Sequence, residues 1–114
     1  MKRSLTIYSP EGDLWAELIY ADGKISILRA NPIYERGLQF ALERDYDKTI
    51  ITKRGIERLY AKKNSPEFLD ALARFHEYNY GCKVTLIDMS EFTFEDKINL
   101  SINGKFVATS KANS

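Results

Sequence analysis

Thr52, Lys53, Arg54 and Gly55 follow one another where the pattern suggests that a helix begins, and their types suit the binding of an anion. Cations in a first helical turn oppose the helix dipole, so their presence there calls for a compensating negative charge. First-turn amides, a threonine hydroxyl, two cationic side chains and a glycine that permits close approach fit a phosphate or carboxylate. From Lys48 to Lys63 six basic residues (Lys48, Lys53, Arg54, Arg58, Lys62 and Lys63) meet a single acid, Glu57, leaving an excess of five positive charges. Tyr60 lies among them and could stack on a base or sugar. Thr52, Lys53, Arg54, Arg58, Tyr60, Lys62 and Lys63 are therefore the candidate anion or nucleic-acid binding residues. The plainer alternative is a solvated helix face with Ile56, Leu59 and Tyr60 turned inward.

A second cluster has the opposite sign. Asp88, Glu91, Glu95 and Asp96 alternate with Met89, Phe92 and Phe94. Acids mixed with aromatics suit a protein-docking surface toward a basic partner, which makes Asp88, Glu91, Phe92, Phe94, Glu95 and Asp96 the candidate docking residues. The plainer alternative is a connecting loop whose phenylalanines cover the core. A basic middle and an acidic late segment in one chain would also favour self-association, head to tail or as a homodimer.

Other groupings carry less. His76 and Cys82 could pair as base and nucleophile, but a working dyad needs a third orienting group and an oxyanion site, and neither is visible. Cys82 reads as a small buried apolar residue and His76 as a surface or helix-end side chain. Asp45 and Asp47 flank Tyr46, but the segment lacks the glycine and dense oxygen ligands of a calcium loop. One histidine and one cysteine give no soft-metal site, and no glycine pattern of the nucleotide-binding type is present. The reading is no metal, no cofactor and no catalytic motif.

The elements that must hold these residues follow from the pattern. A chain of 114 residues that is 44% hydrophobic fits one compact domain, taken as residues 1–110, with a small polar tail at 111–114 that frays. A net charge of +1 argues against a polycationic binder. The lone cysteine rules out an internal disulfide, and the N-terminus has no apolar run long enough for a signal peptide or membrane span, which together point to a cytoplasmic protein.

Leu5–Tyr8, Leu14–Tyr20 and Lys24–Arg29 read as a three-stranded meander, with Asp22-Gly23 supplying the second turn. Asn31-Pro32 opens a helix through Glu43, whose stripe is Ile33, Tyr34, Leu38, Ala41 and Leu42, with Phe40 nearby. Arg44 to Asp47 reads as a loop, Lys48–Thr52 as a strand or extended connection, and Thr52 as the cap of a short helix through Lys63. Ser65-Pro66-Glu67 starts a further helix, with Ser65 accepting from first-turn amides and Gly81 ending it. Cys82–Asp88 alternates as a strand, and Asn103-Gly104 marks a terminal hairpin.

Strands, then helices, then strands give an α+β fold: an antiparallel sheet from the N-terminal meander and the C-terminal strands, packed against two or three central helices. The leading functional expectation is a small non-catalytic binding or regulatory protein that acts through protein contacts, self-association included. The alternative is nucleic-acid or phosphate-ligand binding through the basic helix at 52–63.

Overall fold

A computed structural model describes residues 1–88. Its elements are β1 (Lys2–Tyr8), β2 (Leu14–Ala21), β3 (Lys24–Ala30), α1 (Pro32–Ala41), β4 (Tyr46–Thr52), β5 (Gly55–Ala61), α2 (Pro66–Tyr80) and β6 (Lys83–Asp88). The fold is mixed α+β, with two antiparallel sheets and two helices among the described residues.

The meander forms for the reasons its sequence gives. Ser9 closes the first turn, its Oγ accepting from the amides of Glu11 and Asp13 at 3.2 and 3.0 Å. Asp22 and Gly23 both take positive φ, 52° and 76°, which matches the twist of a two-residue hairpin. Strand β6 then pairs antiparallel with β1, giving the order β3-β2-β1-β6. The late strand thus joins the N-terminal sheet. The terminal hairpin and the tail at 111–114 lie outside the described residues, as do Glu91, Phe92, Phe94, Glu95 and Asp96 of the acidic cluster.

Helix α2 is buried over a wide arc, through Phe68, Leu69, Ala71, Leu72, Ala73 and His76. Such breadth is what a helix covered from more than one side requires. It contacts β1 and β6 of the large sheet and β4 and β5 of the small one. Leu5, Ile7, Ala16 and Leu18 from the large sheet and Tyr46, Ile50, Leu59 and Ala61 from the small one share its hydrophobic cluster. Arg3 of β1 ties the sheet to the helix, reaching Asp70 at 3.1 Å and the carbonyl of Pro66. The same guanidinium lies 3.6 Å from the carboxylate of Asp88 on β6. Gly81 ends α2 in the left-handed conformation, φ 69°. Ser65 precedes the helix but does not cap it through its side chain; its hydroxyl donates instead to the carbonyl of Lys62 at 2.7 Å.

The segment from Thr52 to Lys63 is not a helix. It is the second arm of a β-hairpin, with Tyr46 opposite Ala61 and Thr52 opposite Gly55. Ile56, Leu59 and Tyr60 have helical spacing, but their neighbours alternate with period two, and only Leu59 of the three is buried. Tyr46 and Asp47, read as loop, begin β4, and Tyr46 is in the core against the ring of Phe68. Helix α1 is capped by Asn31, whose Oδ1 accepts from the amide of Ile33 at 2.9 Å. Its inward face is Tyr34, Leu38 and Leu42, whereas Ile33 and Phe40 of the expected stripe face solvent.

Candidate functional site

Converting residues 52–63 from helix to hairpin dissolves the anion site at a helix start and rearranges every residue assigned to it. The Thr52 hydroxyl serves the turn, accepting from the Arg54 amide at 3.1 Å and donating to the Gly55 carbonyl at 3.3 Å. Arg58 forms a two-pronged pair with Asp47 across the strands, at 2.8 and 2.7 Å. The Tyr60 hydroxyl donates to Asp45 at 2.9 Å, and the other oxygen of that carboxylate accepts from the Lys63 amide at 2.8 Å. These bonds hold both carboxyls below their ordinary range, through the Lys63 amide first for Asp45 and the Arg58 side chain first for Asp47. Glu57 is paired with Arg74 of α2, which lowers its pKa likewise.

Asp45 and Asp47, read as part of a loop, are instead partners of the basic arm, Asp45 from just before β4 and Asp47 across the strands, which reduces its charge excess. Lys53 and Arg54 in the turn, and Lys62 and Lys63 beyond β5, form no ion pair among the described residues.

The pairing of β4 with β5 also exposes a feature that the helical reading hid. Ile51 and Ile56 are direct cross-strand partners beside the turn, and each is 78% exposed. They share the solvent face with Thr49, Arg58, Asp47 and Tyr60, while Tyr46, Ile50, Leu59 and Ala61 face the core. Single exposed aliphatics are ordinary, but two opposed β-branched side chains next to unpaired cations form an apolar tip with a charged border.

A second grouping surrounds His76 of α2. Ile7 pairs with Ala16 and Tyr8 with Leu14, so Trp15 is the extra residue of a β-bulge. The bulge turns its ring into an aromatic cluster, 5.3 Å from Tyr34, 6.1 Å from His76 and 5.8 Å from Tyr80. His76, expected as a surface or helix-end side chain, lies near the end of α2 but is only 4% exposed, because α2 is covered on the face that carries it. Its Nδ1 lies 2.9 Å from the carbonyl of Leu72, which can only accept, so Nδ1 carries the proton. Nε2 then accepts from the Tyr34 hydroxyl at 2.5 Å. Burial pushes the His76 pKa down and the Tyr34 pKa up, and both side chains are uncharged at neutral pH.

Cys82 is buried as the sequence suggests, and burial raises its thiol pKa, the reverse of what an activated nucleophile needs. Its link to His76 is through the backbone, the Cys82 amide donating to the His76 carbonyl at 3.2 Å. Among the described residues no three His, Cys, Asp or Glu side chains gather into a metal site, and no helix is long and apolar enough to cross a membrane.

Comparison with protein-family models, curated proteins and solved structures finds no match for this chain. The functional reading therefore stands on the side chains themselves. Sequence reasoning missed Ile51, Ile56, Trp15 and Tyr34. Neither Thr49–Thr52 nor Gly55–Ala61 alternates apolar with polar residues, so no local pattern marked the isoleucines as facing solvent. Nothing local marked the bulge that aims Trp15.

Proposed function

We propose that this protein acts by contact with another protein, and that its contact element is the solvent face and turn of the β4–β5 hairpin. The observation that supports this best is the Ile51–Ile56 pair, exposed side by side. Burying two such side chains contributes roughly 3–5 kcal/mol, which is less than association costs, so the surrounding charges must contribute too. Lys53 and Arg54 fix the sign of the partner. Two copies of this face brought together would oppose their cations, whereas an acidic segment bearing apolar side chains would meet both features. Each hairpin strand also has one edge without a strand partner among the described residues, where an extended segment can add main-chain hydrogen bonds.

Nucleic-acid binding has less support from this geometry. Arg58 is occupied by Asp47, and the Tyr60 hydroxyl by Asp45. Fluorescence anisotropy with labelled short peptides decides between the readings, using peptides that alternate glutamate with leucine or phenylalanine, their glutamine counterparts and a single-stranded DNA. The acidic apolar peptides should bind best, and both Ile51→Ser/Ile56→Ser and Lys53→Glu/Arg54→Glu should weaken them about tenfold or more without changing the melting temperature. Tighter, salt-dependent binding of the DNA that ignores the isoleucine change would replace this reading with the nucleic-acid one. Failure of every acidic peptide to bind would end it.

A further inference from the structure

Beside the bulge of β2 and the first turn of α1 lies an open cleft of about 370 Å³, lined by Trp15, Asn31, Ile33 and Tyr34. We propose that this cleft binds an uncharged planar ring carrying a hydrogen-bond acceptor, such as an aromatic carboxamide or a heterocyclic carbonyl. Its volume is at the small end for ligand sites, roughly 300–1,000 Å³, and suits one or two rings.

The chemistry of the lining selects the class. Among the described residues no charged side chain lines the cleft, so a charged ligand would lose its hydration without a partner there. The rings of Trp15 and Tyr34 lie against each other, 5.3 Å apart and tilted by 35°, and together present an aromatic surface rather than a slot. That surface is held in place from three sides. The bulge sets Trp15, the amide of Asn31 donates to the Trp15 carbonyl at 2.8 Å, and the Tyr34 hydroxyl is fixed on His76. Two donors remain unused. The indole N–H of Trp15 and the side-chain NH2 of Asn31 have no partner among the described residues, since Asn31 spends only its Oδ1 on the helix cap. A ring lying on this surface with an acceptor toward those donors satisfies groups that water otherwise serves. Ile33 stands at the rim, 93% exposed, where a bound ring would cover it.

The chain has one tryptophan, so its indole N–H gives one resonance in a proton–nitrogen correlation spectrum. Three probes separate the requirements: benzamide has the plane and the acceptor, cyclohexanecarboxamide only the acceptor, and benzoate the plane with a charge. Benzamide should shift the Trp15 indole resonance and the Ile33 and Tyr34 amides along one saturable curve, with the other two probes binding at least about fivefold more weakly. Asn31→Asp keeps a side-chain oxygen for the cap but removes the donor, so it should weaken benzamide roughly fivefold at an unchanged melting temperature, the scale of one lost hydrogen bond. Equal binding of cyclohexanecarboxamide, or no saturable shift of Trp15 with benzamide, would overturn the proposal. Unaltered benzamide affinity in Asn31→Asp would overturn the role of the acceptor.

Discussion

Replacing Tyr34 with phenylalanine removes one oxygen atom and strands a buried nitrogen. His76 is 4% exposed and gives its Nδ1 proton to Leu72, so Nε2 has the Tyr34 hydroxyl as its side-chain partner. Losing the bond itself costs about 1 kcal/mol, and an acceptor left unsatisfied in the interior adds about 1–3 kcal/mol. Tyr34 is only half-buried, which lets some water approach and favours the lower part of that range. The expected loss is therefore about 2 kcal/mol, or a melting temperature lower by roughly 10 °C. Urea unfolding followed by the emission of Trp15, whose ring is 5.3 Å from that of Tyr34, measures it directly. His76→Leu strands the tyrosine hydroxyl instead, at a smaller cost because water can reach it. In the double variant neither polar group is left alone, so its cost should be less than the sum of the two by about 1 kcal/mol. A Tyr34→Phe variant within about 0.5 kcal/mol of the wild type, or strict additivity, would refute the assignment of His76 as a neutral acceptor.

Two further outcomes follow from the same structure. Because burial holds the His76 pKa below the ordinary 6.5, the unfolded chain takes up this proton more readily than the folded one. Stability is then complete above about pH 6.5 and declines as the pH falls from there toward the folded-state pKa, and His76→Leu should flatten that decline in urea midpoints. The paired carboxylates Asp45, Asp47 and Glu57, whose pKa values are lowered, act in a separate and more acidic window, below their ordinary 3.8 to 4.5. Gly55 has φ of 118° in the hairpin turn with open space where a Cβ would stand, so Gly55→Ala meets backbone strain alone. A loss of roughly 1–3 kcal/mol by thermal melting is expected, and a neutral result would mean that the turn can adopt another conformation.

The local chemistry of single turns and caps was legible in the sequence. Asp22-Gly23, Asn31-Pro32 and Gly81 act as their side chains and backbone freedom dictate, because each needs only its immediate neighbours. The alternation in β3 and β6 likewise sufficed to mark strands, and the mixture of strands and helices to mark an α+β chain, but the expected order of strands, then helices, then strands is broken by the β4–β5 hairpin standing between the two helices. The segment from Thr52 to Lys63 shows where local information ends. Its apolar residues Ile56, Leu59 and Tyr60 have helical spacing and fall on both faces of a strand, and the choice falls to pairing with β4, which supplies Asp47 for Arg58 and Ile51 for Ile56. The basic segment was therefore read in the wrong shape, with Ile56 turned inward in the plainer helical alternative and Ile51 given no role. His76 was misplaced for a similar reason. Helical periodicity gives one buried stripe, but α2 is covered by elements from both sheets, and only the fold can add that second side. The bulge that aims Trp15 depends on register against β1, a property of two strands together. Sequence by itself determined what short-range sterics and hydrogen bonding fix within a few residues. Tertiary structure decided which faces meet, and so which polar groups are buried with partners and which apolar ones are left to solvent.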